Sequence, residues 1–299
     1  MRSIFIESLC KAAKKDEKVF LLCGDLGFSV LEKYIDQFPD RFLNVGVCEQ
    51  NMALVASGLA LEGFNVFLYS IGNFPTLRAM EQVRYDICYH NLNVTIVSVG
   101  GGYAYGPLGP SHHATEDFAM LRSIPNMVLS APADPVEANL ITNFFLKRNG
   151  PGYIRLNKSG EPIIHKEEEL KRIDLGQIIQ VLKGDEVAVL SNGALLGTAL
   201  KQIKEKLLGY SLYSCPFIGN IDKKALIKII SSYKKIITFE EHQLSAGFGS
   251  FILEEINNLY FRKKIKQFPL VERIAIPDIF QPISGSQEFL RQASRLEIN

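Results

Sequence analysis

The stretch NVGVCEQNMALVASGLALEGFNVFLYS, residues 44–70, decides the class of fold. Its first part is small and apolar over several helical turns and closes on Gly63, which is typical of a buried helix that ends at a glycine. Residues 65–70 then form a short apolar run typical of a buried strand. Glu49 enters this helix at its start, so the stretch also asks which group pairs with an acid carried towards the core.

The alternation of strands and helices continues on both sides of this stretch. KVFLLCGDLG (residues 18–27), NVTIVSVGGG (93–102), MVLSAPAD (127–134) and GPGYIRLN (150–157) read as buried strands that run into glycine or proline. Helices are predicted between them, one over residues 75–91 that Pro75 opens. Unbroken apolar strands joined by helices predict a parallel sheet covered on both faces.

A second unit of the same kind follows a more polar stretch. Residues 158–183 are predicted to form a linker that contains a short strand. Further strands are predicted in residues 186–191, 234–242 and 272–278. The fold class is therefore α/β with two domains, each a mostly parallel sheet covered by helices: residues 1–157, then the linker, then residues 184–299.

The composition excludes several classes of function. The chain has 299 residues, 47% hydrophobic and 22% charged, and a formal net charge of +1, which gives no indication of binding to nucleic acid or an anionic membrane. The five cysteines have no CxxC pair and favour reduced thiols in a cytosol. No apolar run approaches the roughly 18 residues that a membrane span needs, so a cytoplasmic protein is expected.

Two histidines precede a predicted short helix in the sequence GPLGPSHHATED. Adjacent histidines are poorly spaced to chelate one metal, so an acid–base or hydrogen-bonding role for His112 and His113 is favoured over a metal site. A solvated surface pair is the alternative. Residues 115–117, Thr-Glu-Asp, are expected to cap the helix that follows.

Glu49 has two interpretations. As a residue of the first helical turn, it would be favoured by the helix dipole alone. Alternatively, burial keeps it protonated, so that it donates a hydrogen bond to a buried nitrogen heterocycle. Spacing alone favours the first interpretation.

Several motifs, in order, resemble the C-terminal half of transketolase as found in split transketolases made of two chains. They are VGVCEQNM, RAMEQVRYD, GPSHHATEDFAMLRSIPNMVLSAPAD, PGYIRLNKSGEP and KKIITFEEHQLSAGFGS, and together they extend over essentially the whole chain. The resemblance implies a thiamine diphosphate pyrimidine-binding fold followed by the transketolase C-terminal domain. The function that it implies is a transketolase-type transferase, which moves a two-carbon ketol unit from a ketose to an aldose.

The same resemblance implies a cofactor shared between two chains. A partner subunit would supply the pyrophosphate-binding domain and the ligands of Mg²⁺, in an α₂β₂ assembly. In this chain Gly24-Asp25-Leu26 precedes Asn51 by about the spacing of the family's metal-binding GDG…Asn motif. Leu26 stands where backbone must approach the diphosphate closely, and Asn51 is predicted inside a helix, so no metal site is expected here.

Site residues follow from the resemblance position by position. Glu49 matches the glutamate that hydrogen-bonds N1′ of the aminopyrimidine, which favours the tautomer that removes the thiazolium C2 proton. Phe74 matches the aromatic residue that stacks on the pyrimidine. Ile71 stands where many members have a second phenylalanine. His112 matches the histidine near the C1 hydroxyl of the donor ketose.

Three further residues, Arg2, Ser29 and Arg155, fall where members of the family hold the substrate phosphate. Two positions depart from the family. Leu108 replaces a common aspartate that contacts a substrate hydroxyl, and Gly100 replaces a histidine. The loss of these polar groups motivates the hypothesis of a specialised sugar substrate.

Other interpretations stay open from the sequence. The chain could be a deoxyxylulose-phosphate-synthase-like ligase or the β subunit of a 2-oxo acid dehydrogenase. It could also be a non-catalytic binding subunit that keeps the fold. The presence of both Glu49 and Phe74 speaks against the last interpretation, because a protein that keeps only the fold has no use for a buried carboxylate.

Overall fold

The computed structural model describes residues 1–158 and 160–299, which form two mostly parallel sheets flanked by helices, so the predicted α/β class is confirmed. The strands of the first sheet are β1 (Val19–Cys23), β2 (Phe42–Asn44), β3 (Asn65–Ile71), β4 (Val94–Val99), β5 (Val128–Ser130), β6 (Gly152–Leu156) and β10 (Phe217–Ile218). Their spatial order is β10-β5-β6-β4-β3-β1-β2. All neighbours are parallel except β10, which runs antiparallel to β5.

Helices cover both faces of this sheet. They are α1 (Arg2–Ala13), α2 (Glu32–Gln37), α3 (Glu49–Leu61), α4 (Met80–Gln82), α5 (Asp117–Arg122) and α6 (Pro135–Lys147), and α4 continues into a π-helical segment, Val83–Tyr89. On one face, α1 and α6 bury an apolar layer that includes Phe5, Ile141 and Phe145. On the other, α3 and the π-helical segment bury Met52 and Ile87.

The second sheet follows the same plan with one reversed edge. Its strands are β7 (Ile179–Leu182), β8 (Val187–Ser191), β9 (Ser211–Ser214), β11 (Lys235–Gln243) and β12 (Leu270–Ile276), in the order β12-β11-β8-β9-β7. Only β7 pairs antiparallel. Its helices are α7 (Leu195–Glu205), α8 (Lys223–Ser232), α9 (Phe248–Phe261) and α10 (Gln287–Ala293).

The boundary between the two halves is less simple than the sequence pattern indicates. Strand β7 lies inside the predicted linker and belongs to the second sheet, whereas β10 comes from the second half and extends the first sheet. A buried polar cluster also ties the linker down. His165 Nδ1 lies 3.2 Å from Asp134 Oδ2, and Ser214 donates to Glu137 at 2.6 Å. The linker is therefore packed against both halves.

Two local predictions are wrong. The helix predicted from Pro75 begins only at Met80, because residues 72–79 form a tight turn in which Phe74 N donates to Ile71 O at 2.9 Å. Residues 115–117 do not cap α5, since no side chain makes a cap hydrogen bond there. The Asp117 carboxylate instead receives a hydrogen bond from the Tyr153 hydroxyl.

Two searches of the described residues found nothing. None of their helices combines the length and the apolar character that a bilayer span requires. Nor do residues 1–158 and 160–299 bring three or more His, Cys, Asp or Glu side chains together in an arrangement that could hold a metal ion.

Candidate functional site

Glu49 lies at the carboxyl edge of the first sheet, where parallel sheets bind ligands. It is the first residue of α3, shortly after β2 ends at Asn44. The Asn44 side chain fixes the two loops at this edge, because its Oδ1 accepts hydrogen bonds from Asp25 N at 2.9 Å and from Gly46 N at 3.0 Å. The helix-start position that the sequence predicts for Glu49 is therefore observed, and its setting is the open end of a parallel sheet.

The buried Glu49 carboxylate is engaged on one side only. Its side chain is 3% exposed, and its Oε2 lies 3.4 Å from Nη1 of Arg78. Its Oε1 is buried and has no hydrogen-bond partner among the described residues. Leaving a buried polar atom unpaired costs about 1–3 kcal/mol, and folded proteins seldom do so without a reason. An unpaired carboxyl oxygen at the sheet edge therefore indicates a place for a ligand group that hydrogen-bonds to it.

Phe74 stands beside this carboxylate on the turn that follows β3. The turn is closed by the hydrogen bond from Phe74 N to Ile71 O, so Ile71 and Phe74 bracket it. The Arg78 guanidinium lies over the Phe74 ring at 4.1 Å from its centroid. The same guanidinium pairs with Glu49, and so Arg78 connects the carboxylate to the aromatic ring.

His112 joins this group from a different loop. Its ring meets the Phe74 ring edge to face, with centroids 5.2 Å apart. Its Nδ1 lies 3.0 Å from Oγ of Ser111, and Asn73 Nδ2 donates to Ser111 O at 3.2 Å. The loops of Phe74 and His112 are thus hydrogen-bonded to each other, and the structure brings Glu49, Phe74 and His112 together.

The neighbouring His113 has a different environment. It is buried, and its ring packs edge to face against Tyr103 at 5.0 Å. Burial lowers the pKa of His113 from its ordinary value, so the ring is neutral at physiological pH. The two adjacent histidines therefore face different surroundings, and His112 is the one that contacts Phe74.

The three predicted phosphate-binding residues are not equivalent. Arg2 begins α1, and its charge opposes the rise that burial causes in the pKa of Tyr69 and of Tyr105. Ser29 is exposed on a loop with a left-handed backbone (φ 64°), and its N–H donates to Glu32 at 2.7 Å. Arg2 and Ser29 thus stay available to a ligand.

Arg155 is placed differently, and its predicted phosphate role is not supported. Its side chain is buried, with Nε 3.2 Å from Asp117 Oδ2. Its Nη2 donates to the carbonyl oxygens of Ala114 at 2.5 Å and Glu241 at 3.0 Å. The guanidinium also lies over the Phe118 ring at 4.4 Å from the centroid. These contacts use the charge and the donors of Arg155 inside the protein.

Two residues that the sequence did not single out lie at this site. Arg78 is one; it follows Phe74 by four residues, a spacing that brings side chains together on a turn or helix. Lys158 is the other, and its Nζ lies 5.2 Å from the centroid of the Tyr105 ring. Lys158 is exposed and follows Arg155 by three residues, so it offers a cation to a ligand where Arg155 does not.

Comparison with known proteins places both halves of the chain. Residues 1–161 match the family model described as transketolase, pyrimidine binding domain. Residues 176–296 match the model described as transketolase, C-terminal domain. The two matches together include both sheets.

Individual relatives agree with these matches. One of the two-part enzyme subunits named for apulose-4-phosphate transketolase, from Actinobacillus succinogenes, is 32% identical over 261 residues, which are 86% of this chain and 83% of that protein. The 1-deoxy-D-xylulose-5-phosphate synthase of Clostridium perfringens is 31% identical over 291 residues, 95% of this chain and 46% of that enzyme. The solved structure described as split gene transketolase, inactive beta4 tetramer, has a TM-score of 0.87 at 28% identity and covers 99% of this chain and 93% of its own.

Proposed function

This chain belongs to the transketolase family, and on that premise we propose that it is the pyrimidine-binding subunit of a two-chain transketolase dependent on thiamine diphosphate. The observation that carries the proposal is the buried Glu49 Oε1 without a partner among the described residues, beside the ring of Phe74. In this proposal residues 1–157 bind the pyrimidine, and residues 184–299 form the C-terminal domain.

The residues at the sheet edge suit an aminopyrimidine ring. Glu49 Oε1 can share a proton with a ring nitrogen, which satisfies the unpaired oxygen. Phe74 supplies a flat surface for stacking, since Arg78 occupies one face of its ring and His112 meets the ring edge to face. Ile71 closes the same turn. When bound, thiamine diphosphate supplies the electron sink that ketol transfer requires.

Other residues of the chain act on the substrate in this proposal. His112 hydrogen-bonds the C1 hydroxyl of the donor ketose, and its ring is oriented by Phe74 and Ser111. Arg2, Ser29 and Lys158 hold a phosphate group, while Arg155 keeps its structural contacts. The overall reaction breaks the C2–C3 bond of the ketose and forms a bond to the aldehyde carbon of the aldose, with no net oxidation.

A partner subunit is part of the proposal. The matched domains are the pyrimidine-binding and C-terminal domains, and the Actinobacillus succinogenes relative is itself named as a transketolase subunit. The surface supports a protein contact, because α3 exposes Leu54 and Leu61 next to the π-helical segment, which exposes Tyr85 and Tyr89. We assign the pyrophosphate-binding domain and the Mg²⁺ ligands to this partner, in an α₂β₂ assembly.

The substrate is proposed to be a phosphorylated sugar outside the common pentose phosphates. Leu108, where the family commonly has an aspartate, is 56% exposed and offers no hydrogen bond from its side chain. The name of the Actinobacillus succinogenes relative, which specifies apulose 4-phosphate, supports a specialised sugar phosphate.

Reconstitution tests this function directly. The chain is mixed with a pyrophosphate-domain chain from the same organism, thiamine diphosphate and Mg²⁺. Hydroxypyruvate, which leaves a two-carbon ketol unit when CO₂ departs, serves as donor with an aldose phosphate as acceptor. We expect a ketose phosphate as product and no use of pyruvate. Turnover of pyruvate would instead indicate a synthase like the Clostridium perfringens relative, and the absence of any turnover would favour a binding subunit.

A further inference from the structure

The Tyr105 ring occupies the space that a side chain at position 100 would need. Gly100 directly follows β4 and has a left-handed backbone (φ 85°), a conformation that glycine adopts without strain. A Cβ placed on Gly100 would lie 2.1 Å from Cε2 and 2.2 Å from Cδ2 of Tyr105. No side chain at position 100 can coexist with this ring, so Tyr105 replaces such a side chain at the carboxyl edge of the sheet.

From this position Tyr105 borders the proposed substrate site. Its ring centroid is 6.4 Å from that of His112, and Lys158 Nζ lies 5.2 Å from it on another side. Arg2 is the charged neighbour whose positive charge opposes the burial-driven rise in the pKa of Tyr105. Tyr105 is half-buried, with its ring between the donor-contacting histidine and two cations.

The donors around Tyr105 suit an anion. With Arg155 paired to Asp117, the cations left here are Arg2 and Lys158, whose two charges match a phosphate dianion. The Tyr69 hydroxyl, close to Arg2, is buried and has no hydrogen-bond partner among the described residues. A buried hydroxyl without a partner is a second, separate sign of a missing hydrogen-bonding ligand at this place.

We infer that Tyr105 is a specificity-determining residue that donates its phenol O–H to the anionic end of a phosphorylated sugar held between Arg2 and Lys158. The inference rests on the proposed function for the identity of the sugar. It adds that a phenol seated on Gly100 takes over a contact that a side chain at position 100 would otherwise make. A neutral sugar gains nothing from this group, so Tyr105 selects substrates by their charge.

Binding of inorganic phosphate to the full chain tests the inference without activity. Tyr105→Phe keeps the ring on Gly100 and removes only the hydroxyl. Because a hydrogen bond to a charged group contributes strongly, we expect the affinity for phosphate to fall about tenfold. The control is Tyr260→Phe on α9, a half-exposed tyrosine that packs against Phe268 and should leave phosphate binding unchanged. Unchanged phosphate affinity in Tyr105→Phe would overturn the inference.

Kinetics of the reconstituted complex give the second readout. With hydroxypyruvate as donor, Tyr105→Phe should raise KM about tenfold for glyceraldehyde 3-phosphate while kcat is retained. KM for unphosphorylated glyceraldehyde should not change. An equal change for both acceptors would contradict a role at the phosphate. If the wild-type complex transfers no ketol unit but Tyr105→Phe still weakens phosphate binding, the proposed function fails and the inference about Tyr105 stands.

Discussion

Glu49 and Arg78 form an ion pair that engages only half of a buried carboxylate. Oε2 of Glu49 lies 3.4 Å from Nη1 of Arg78, whereas Oε1 has no partner within the described part of the chain. The guanidinium of Arg78 is half-exposed and lies over the Phe74 ring. A single arginine therefore contacts both groups to which we assign the pyrimidine, and leaves one carboxyl oxygen free.

Arg78→Met tests whether this arginine helps to position the cofactor pocket. We expect thiamine diphosphate to bind the reconstituted complex about fivefold more weakly, because a cation–π contact contributes about 1 kcal/mol and holds the Phe74 ring in place. Equilibrium titration with the cofactor measures the effect. Arg84→Met, at an exposed position of the π-helical segment, is the matched control. Equal affinities in the two variants would show that Arg78 has no positioning role.

Arg155 and Lys158 are expected to separate structural from substrate roles. Arg155→Met leaves Asp117 buried without its cation, so the free energy of unfolding should fall by on the order of 3 kcal/mol. Lys158→Met, at an exposed position, should change it by less than about 0.5 kcal/mol. Urea unfolding of both variants measures this difference.

The same two variants give opposite expectations for the substrate. Lys158→Met should raise KM for a phosphorylated acceptor and leave KM for its unphosphorylated analogue unchanged. A normal stability of Arg155→Met, combined with a selective loss of the phosphorylated acceptor, would restore the phosphate role that the sequence predicts for Arg155.

The stability of the chain should decrease as pH rises above neutrality because of His165. Burial lowers the pKa of His165, but the hydrogen bond with Asp134 and the charge of Glu137 raise it above its ordinary value of 6.5. A raised pKa in the folded state means that the stabilisation is complete below the unfolded value and is lost as pH passes the folded value. Burial raises the pKa of Glu137, and its ionisation at higher pH acts in the same direction.

Urea unfolding at pH 6 and pH 8 tests this dependence. The free energy of unfolding should be higher at pH 6 for the wild type, and His165→Asn should reduce the difference. His90→Asn, at an exposed histidine, should keep the difference as in the wild type. A wild type that is more stable at pH 8 would contradict the assignment.

The sequence predicts the fold well where the pattern is local. The run from residue 44 to 70 contains the α3 helix and strand β3, and the glycine after each apolar strand indicates the sheet edge. The pairing of β10 with β5 is not visible in such patterns, because the two strands are far apart in sequence. The late start of α4 was missed since the turn at Phe74 depends on hydrogen bonds that Pro75 alone does not reveal.

The candidate site shows the same division. The family pattern identifies Glu49, Phe74 and His112, and the structure brings them together. The structural contacts of Arg155 were missed because its pairing with Asp117 joins β6 to α5, which has no local signature. Tyr105 was missed because the meaning of Gly100 depends on which side chain fills the space above it.

Replacement of Glu49 by glutamine tests the central claim most directly. The reconstituted complex is assayed for ketol transfer with wild type, Glu49→Gln and Glu62→Gln, the last at the exposed end of α3. We expect Glu49→Gln to reduce kcat at least about 100-fold, since it removes a group that holds a proton at the reacting cofactor, and Glu62→Gln to match the wild type. Full activity of Glu49→Gln would contradict the claim that this carboxyl group serves the cofactor.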